Sequence, residues 1–442
     1  MLAAACEALP EPEAATPVTG DDREQELPLE ATRRRWTTVL DTEGMGQLAA
    51  QSDGHVALVS SFNSDIHVAR FNPRGQLLWR HRFGDSNYQQ VAGVSIDAKG
   101  NVLLTGDFWG ALDFGGGPLP CPGEPGNPRA FVAKFDATGR HVWSRCFGNL
   151  GQQQTGTLAL APDGDVFVSG YFDRIIDLGD GPIPVKGAVN HFVARLDRNT
   201  GATVWHHIYE TGMGNLVRLA SDREGNLFIS DAYMDELRIH GVPWLSTPGF
   251  NAYVLKFNPL GQPLWAKAFG AAHQQTGWSI AVDPEGNLIG AGSFIGTVDF
   301  GGGPLTSREL DVFVVSLDSE GTHRWSRQFG GPGPDRGHDV SLDPAGNPVV
   351  TGSFQATIDL GDGPLTSMGG NDIFVVKLDR DGGTRWSRAF GDVNHQTAYQ
   401  VVSVGRRDVV LGGPLVGTLD FGSGPVTGTA SGNAFLARIS PR

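Results

Sequence analysis

Five repeated aspartates are the residues whose type and spacing most suggest chemistry. Each opens a segment of the form Asp-Phe-Gly-Gly-Gly-Pro or a close variant, at Asp113, Asp177, Asp299, Asp359 and Asp420. Such carboxylates could bind Ca²⁺ if a second acid, with Asp180 and Asp362 as candidates, converged on the same ion. An aspartate before a glycine-rich turn can instead accept hydrogen bonds from the following backbone amides. Because the residue recurs in most units, we interpret it as a structural element and predict no metal site.

Motifs for nucleophilic, metal-dependent and phosphate chemistry are absent from the sequence. It contains no HExxH, no GxSxG, no GxxxxGK[ST] and no EF-hand loop. His206 and His207 are adjacent in a predicted strand, where alternation places them on opposite faces and argues against joint metal ligation. We therefore predict no catalytic residue, no metal and no cofactor.

Polar connections precede the first strand of most repeated units, at residues 87–90, 152–155, 273–276, 335–338 and 394–397. In a radial repeat these loops surround one mouth of a central channel, where amide and imidazole groups can bind a polar ligand or a peptide. The ligand candidates are Gln90, Gln154, Gln275, His338 and Gln396. The alternative is that Gln and Thr here cap exposed strand ends.

The fourth unit departs most from the repeat. It lacks the segment that each repeated aspartate opens, which is called the Asp-Gly-Pro insert, or simply the insert, from here on. In the region that replaces this insert it carries Tyr233 and Trp244. Because aromatic residues are enriched at interfaces, these two are candidates for a surface aromatic patch. Ordinary divergence of one unit is the alternative.

The elements that position these residues are short strands that recur about every 60 residues. A tryptophan marks each unit, with an aromatic residue four positions later, at Trp79, Trp143, Trp205, Trp265, Trp325 and Trp386. Gly-Asn turns and alternating apolar runs divide a full unit into four antiparallel strands. Such units, repeated radially, predict an all-β propeller in which the tryptophans pack between blades.

The count of units predicts a seven-bladed propeller of four-stranded blades in residues 33–442. The approximate bounds of the units are 41–84, 85–148, 149–210, 211–270, 271–330, 331–391 and 392–442. The last unit has no tryptophan strand, whereas residues 33–40, which precede the first unit, contain Trp36. Because an open ring would leave unpaired strand edges, we expect residues 33–40 to complete the last blade.

Composition excludes several classes of function. A net charge of −14 at pH 7 argues against nucleic-acid binding, because the phosphate backbone would be repelled. No apolar run approaches the roughly 20 residues that span a bilayer. Cys121 and Cys146 lie in one unit, where a disulfide is conceivable, and two unpaired thiols are the simpler alternative.

The first 32 residues differ from the repeats. The start, MLAAAC, is similar to the cleavage end of a bacterial lipoprotein signal, which implies lipidation at Cys6, although the basic and apolar regions of such signals are missing. The following Pro-, Glu- and Ala-rich residues are expected to form a disordered tether. The expected location is the cell envelope, with a possible lipid anchor as the only membrane contact, or the secreted fraction. A chance cysteine is the alternative.

The units resemble the bacterial β-propeller repeat family. Residues 351–391, TGSFQATIDLGDGPLTSMGGNDIFVVKLDRDGGTRWSRAFG, show the shared pattern best. The resemblance implies a propeller in a secreted or lipoprotein chain and says little about activity. Residues 196–205, LDRNTGATVW, are also similar to the tryptophan repeat of quinoprotein enzymes, but the adjacent cysteine pair of those enzymes is missing.

Together these features predict a monomeric, non-enzymatic binding or scaffold protein. Its rigid propeller surface would be presented to a protein or glycan partner outside the cytoplasm. The alternative is a hydrolase, lyase or quinoprotein-like enzyme with its site at the channel mouth. A fold shared by binding proteins and enzymes does not separate the two.

Overall fold

A computed structural model describes residues 35–40, 46–121, 126–211, 217–270, 273–275, 278–428 and 433–440. These residues form strands, turns and bends, and none of them is helical. The prediction of an all-β protein is therefore confirmed for the described part of the chain. Cys6 and the predicted tether lie outside it.

Most strands form antiparallel sheets of four, numbered here along the chain. The chain enters through β1 (Trp36–Leu40). The first unit contains β2 (Gln47–Ala50), β3 (Val56–Phe62), β4 (Asp65–Phe71) and β5 (Leu77–Phe83). The second contains β6 (Gln89–Ile96), β7 (Val102–Phe108), β8 (Arg129–Phe135) and β9 (His141–Phe147).

The third and fourth units are joined in one sheet. The third contains β10 (Gln153–Leu160), β11 (Val166–Phe172), the small hairpin β12 (Ile175–Asp177) and β13 (Pro182–Pro184), β14 (Asn190–Leu196) and β15 (Thr203–Glu210). The fourth contains β16 (Arg218–Ser221), β17 (Leu227–Ile239), β18 (Val242–Phe257) and β19 (Pro263–Phe269). Strands β17 and β18 are long because a continuous hairpin replaces the insert, and β17 pairs with β15 at its far end.

The remaining units follow the same order. The fifth contains β20 (His273–Gln275), β21 (Ser279–Val282), β22 (Leu288–Asp299), β23 (Pro304–Leu317) and β24 (His323–Phe329). The sixth contains β25 (Arg336–Leu342), β26 (Pro348–Phe354), the hairpin β27 (Thr357–Asp359) and β28 (Pro364–Thr366), β29 (Asp372–Leu378) and β30 (Thr384–Phe390). The last contains β31 (Gln400–Val404), β32 (Asp408–Leu415), the hairpin β33 (Thr418–Asp420) and β34 (Pro425–Thr427), and β35 (Asn433–Ile439).

The first and last described strands pair with each other in the last unit. Strand β1 runs antiparallel to β35, with Trp36 opposite Arg438 and Leu40 opposite Ala434. The predicted pairing of the N-terminal strand with the last unit is therefore confirmed. The innermost strands also contact one another in a closed circuit, in the order β2, β6, β10, β16, β21, β25, β31 and again β2.

A tryptophan hydrogen bond joins neighbouring units. The indole N–H donates to a backbone carbonyl in the turn before the last strand of the next unit, over 2.7–3.2 Å. The pairs are Trp36 with Pro73, Trp79 with Ala137, Trp143 with Arg198, Trp205 with Pro259, Trp265 with Ser319 and Trp325 with Arg380. The tryptophans therefore pack between units, as predicted.

An arginine or lysine on the third strand donates to the same carbonyl in most of these contacts. Lys134 Nζ lies 2.9 Å from the Arg198 oxygen, and Arg438 Nη1 lies 2.8 Å from the Pro73 oxygen. The second of these bonds connects the last unit to the first, so the same device that joins internal units also closes the molecule.

The core lies between the sheets. Each apolar cluster combines a large residue from the last strand of one unit with two from the next, such as Phe147 with Phe172 and Phe192. Glycines on the second strand make room for these rings. A Cβ atom at Gly106 would lie 1.9 Å from the Gln90 oxygen and 2.8 Å from the Phe131 ring, so no larger residue fits there without movement.

The repeated aspartates build turns, as interpreted from the sequence. Asp113 Oδ1 accepts hydrogen bonds from the amides of Gly115 and Gly117 at 2.7 and 3.0 Å. Equivalent bonds form at Asp177, Asp299, Asp359 and Asp420. These carboxylate oxygens stabilise the insert, which explains why the residue recurs.

Cys121 and Cys146 form a disulfide, with their Cα atoms 5.6 Å apart. The alternative of two unpaired thiols is therefore wrong. The bond connects the insert to β9, which lie next to each other only after the unit has folded.

Deletion of residues 33–40 should destabilise the whole molecule. The deletion removes Trp36 and exposes the edge of β35, so we expect a loss of at least about 3 kcal/mol, comparable to truncation of one buried tryptophan. Urea unfolding followed by tryptophan fluorescence measures the loss. Deletion of residues 7–16 is the control, and an equal unfolding midpoint for both variants would contradict the closure.

Candidate functional site

The innermost strands bring one equivalent residue from each unit to the central channel. The shared position faces the fourth residue of the second strand, as Arg218 opposite Ser230 and Asp339 opposite Thr351 show. Its occupants are Gln47, Gly93, Thr157, Arg218, Ser279, Asp339 and Gln400. They line a cavity of about 370 Å³. The units use a different side chain at almost every point of this ring, in contrast to their repeated turns and tryptophans.

Asp339 holds three units together inside the channel. Its Oδ1 accepts a hydrogen bond from the Ser279 hydroxyl at 2.6 Å, and its Oδ2 accepts one from the Val401 amide at 2.8 Å. Burial raises the pKa of Asp339 above its ordinary value, and these hydrogen bonds oppose the rise. Both oxygens are therefore occupied, and Asp339 has a positioning role in the channel wall.

Arg218 is the cation of this ring. Its guanidinium makes no hydrogen bond or ion pair with a described residue, although Asp231 and Asp339 lie near enough to interact electrostatically. A half-buried guanidinium of this kind can bind a carboxylate through parallel hydrogen bonds. The channel therefore has the chemistry to bind an anionic group.

Asp231 lies on the second strand of its unit, at the position equivalent to Gly106. Most other units have a glycine at this position, which leaves room for the aromatic rings between the sheets. Burial raises its pKa to about 7, and Arg218 partly offsets the rise. The side chains around it are Tyr209, Tyr233 and Tyr253, which occupy the positions of Phe147, Phe172 and Phe192 in the preceding layer. The hydroxyls of Tyr209 and Tyr253 interact with each other, whereas the Tyr233 hydroxyl and Asp231 Oδ2 have no hydrogen-bond partner among the described residues.

The predicted surface aromatic patch is wrong. Tyr233 is 0% exposed and belongs to the core between the third and fourth units. Trp244 is partly buried and packs against the same cluster. The prediction failed because Tyr233 occupies a core position between two sheets, where the preceding unit has Phe172. The loss of the insert in the fourth unit hides this equivalence in the sequence.

Two predicted ligand residues, Gln90 and Gln154, lie in equivalent positions at one mouth of the channel. Gln90 is exposed and accepts a hydrogen bond from the Tyr88 hydroxyl, whereas Gln154 accepts one from Tyr171 at 2.6 Å. Asp107 lies opposite Gln90 across the strands, and burial raises its pKa to about 7. The structure thus adds a desolvated carboxyl group that sequence analysis missed.

Two other predicted ligand residues, His338 and Gln396, make contacts within the fold, and Nε2 of His338 lies 3.3 Å from the Ser353 hydroxyl. The His338 ring packs 5.0 Å from Tyr399, and burial lowers its pKa to about 4. Gln396 is fully buried, where its amide donates to Asp392 and to the Val416 oxygen. Gln396 therefore supports its loop and is not accessible to a ligand. Gln275 belongs to β20, and its side chain lies outside the described residues.

The opposite end of the channel opens into a cavity of about 410 Å³. Its acids Asp222, Asp283 and Asp343 accept hydrogen bonds from the amides of their own turns. Asp343 also pairs with Lys377 at 2.7 Å. These carboxylates are engaged in the fold, so the end with Gln90 and Asp107 is the better candidate for recognition.

The described residues contain neither a cluster of three or more metal ligands nor a helix that could span a membrane. No group of three or more His, Cys, Asp or Glu there is arranged to hold a metal ion. No helix in that part of the chain is long and apolar enough to cross a membrane.

Sequence comparison finds no matching family. The chain is similar to an uncharacterized WD repeat-containing protein of Acanthamoeba polyphaga mimivirus, with 22% identity over 356 residues. That match covers 65% of this chain and 26% of the relative, so the chain spans about a quarter of the relative's length.

Solved structures also match the fold of this chain, with low TM-scores and low sequence identity. Sqt1 from Chaetomium thermophilum matches with a TM-score of 0.46 and 10% identity, over 92% of this chain and 100% of that one. A streptogramin B lyase matches with a TM-score of 0.45 and 9% identity, over 92% of this chain and 98% of that one. The repeated antiparallel sheets and the WD repeat relative support a propeller repeat fold for this chain.

The key residues that sequence analysis missed are Arg218, Asp339 and Asp107. Their signal was available in the repeat itself, because each occupies a position where aligned units carry unrelated side chains. The sequence did not show which of the equivalent positions in the repeats faces the channel. A shift of one residue along a strand would move every side chain to the opposite face of the sheet.

The contribution of Asp231 to stability should fall as the pH rises from about 4 to 8. The pKa of Asp231 is raised from its ordinary value of 3.8 to about 7, so the folded protein retains this proton longer than the unfolded chain. The stabilising effect is complete below about pH 4 and is lost as the pH rises through 7.

Asp231→Asn keeps the shape of the side chain and removes its ionisation. We expect it to be more stable than the native protein at pH 8 and to gain stability relative to the native protein as the pH rises, measured by urea denaturation between pH 4 and 8. Glu309→Gln, at an exposed position, is the control. Parallel pH curves for the native protein and Asp231→Asn would contradict the assignment.

Proposed function

We propose that the sheets form a seven-bladed β-propeller that acts as a non-enzymatic binding protein. The closed circuit of innermost strands supports the blade number, since each unit contributes one strand segment to it. The pairing of β1 with β35 supports a last blade built from both ends of the chain.

The observation that carries the binding proposal is Arg218 in the channel wall. It is a cation without an ion pair to any described residue, beside a cavity of about 370 Å³ lined by residues that differ between units. A partner that presents a carboxylate, on an acidic protein segment or an acidic glycan, would complement this charge. The rigid ring positions Arg218 before the partner arrives, which lowers the entropic cost of binding. We propose that the protein binds such a partner as a monomer.

Arg218→Gln should weaken this recognition. Loss of a charged hydrogen-bond partner costs about 1.5–3 kcal/mol, so affinity should fall at least about tenfold. Immobilised full-length protein, exposed to an envelope fraction, captures the partner, and titration with the captured molecule gives the affinity. Arg324→Gln removes an exposed arginine on β24 and is the matched control. Equal affinities of the native protein and Arg218→Gln would refute the proposal.

A second candidate function is enzymatic, and Asp107 is the observation that favours it. A carboxyl group with a pKa of about 7 can act as a general acid or base near neutral pH. Tyr88 and Tyr171 lie close enough for Asp107 to raise their pKa values, with burial as the larger cause. If the captured partner is a glycan that the native protein cleaves and Asp107→Asn only binds, the enzymatic alternative replaces the binding proposal.

We propose an extracytoplasmic location. The disulfide between Cys121 and Cys146 supports it, because disulfides persist in oxidising compartments. Lipid attachment at Cys6 remains a proposal from sequence. Metabolic labelling with a palmitate analogue should mark the full gene product and leave Cys6→Ser unlabelled. Label in neither protein, or in both, would refute lipidation at this residue.

A further inference from the structure

Two histidines from different units meet at the outer edge of the third sheet. His207 lies on β15, and His240 lies in the turn between β17 and β18. Nδ1 of His207 is 2.6 Å from Nε2 of His240, and the two rings are 4.9 Å apart between centroids and nearly perpendicular. Neither residue belongs to the channel or to its mouths.

The ring of His207 is held in one orientation. It stacks on Phe257 at 5.2 Å, with 9° between the ring planes, and lies 5.4 Å from Trp205. Its Nε2 faces Gly261, where an added Cβ would approach to 2.9 Å.

His81 occupies the equivalent position in the first unit and shows which nitrogen is available. It lies 5.3 Å from Trp79, and its Nε2 is 2.7 Å from the Gly139 oxygen. In His207 the buried Nε2 lies beside the equivalent Gly261, whereas Nδ1 faces His240. Nδ1 is therefore the nitrogen of His207 that a ligand shared with His240 would reach.

His240 occupies a conformation that histidine adopts at a cost. Its φ is 52°, and that of the following Gly241 is 79°, as a two-residue hairpin turn of this hand requires. Asn and Gly are the preferred residues at such positions, so histidine here is not explained by the turn. The hairpin is also a feature of the fourth unit, because five of the other units have the Asp-Gly-Pro insert in its place and the first unit has a shorter turn there. The departure from the repeat therefore brings a second imidazole to His207.

We propose that His207 and His240 form a site for one divalent transition-metal ion, with solvent completing the coordination. Imidazole nitrogen is a preferred ligand of Cu²⁺, Ni²⁺ and Zn²⁺. With metal–nitrogen bonds of about 2.0–2.1 Å, two ligands at a right angle are about 2.9 Å apart, and two in a tetrahedron are about 3.4 Å apart. From 2.6 Å, the right-angled arrangement requires the smaller movement, which the exposed His240 can supply. The site therefore favours Cu²⁺ and Ni²⁺ over Zn²⁺.

Nearby charged groups have other partners. His206 lies on the opposite face of β15, as the alternation predicted, and faces Asp180 at 3.5 Å. Glu236 pairs with Arg238, whose Nε donates to it over 2.8 Å. The two imidazoles are therefore the protein ligands of the site among the described residues.

Titration of the tag-free, full-length protein with NiCl₂ by calorimetry tests the site. We expect one Ni²⁺ per chain for the native protein and at least a tenfold weaker affinity for His240→Asn. Asparagine tolerates the left-handed turn, so this variant should melt at the native temperature without metal. His81→Gln changes the equivalent histidine that has no such partner and should bind Ni²⁺ as the native protein does.

Equal Ni²⁺ affinities of the native protein and His240→Asn would overturn the proposal. Electron paramagnetic resonance with one equivalent of Cu²⁺ gives a second measurement that does not depend on stability. The native protein should show two equatorial imidazole nitrogens, and His240→Asn should show one. A spectrum with two nitrogens in both proteins would place the copper elsewhere and refute the site.

Discussion

The hydrogen bond from a tryptophan indole to a carbonyl of the next unit is the contact on which the rest of the structure depends. A four-stranded sheet cannot bury both of its faces alone, so each unit is stable only against its neighbours. The indole fills the space between sheets and fixes their relative position, and a third-strand Lys or Arg often shares the carbonyl. Because Trp36 and Arg438 both bond the Pro73 oxygen, this device also joins the ends of the chain.

This division of labour explains which residues repeat. Asp113 and its equivalents, the tryptophans and the Gly106 type of glycine each satisfy a local requirement that every unit has. The side chains of the innermost strands that face the channel are not needed to build a turn or to pack between units. They are consequently free to differ, and Arg218 and Asp339 stand at two such positions.

The fourth unit shows how a repeat can change without losing its fold. Tyrosines replace phenylalanines in one internal layer, an aspartate replaces the glycine between them, and a hairpin replaces the insert. The volume of the layer is nearly conserved, but polar groups are now buried, and a histidine is carried to the neighbouring unit. Several departures that are separate in sequence thus lie at one junction between units.

The sequence by itself determined the all-β class, the four-stranded units, the turn role of the repeated aspartates and the need for Trp36 to complete the last unit. These follow from local periodicity and turn chemistry, which act within a few residues. Tertiary structure alone decided which columns face the channel, that Tyr233 and Gln396 are buried and that Cys121 pairs with Cys146. It also brought His240 to His207, because contacts between units depend on the curvature and register of whole sheets, which no local pattern encodes.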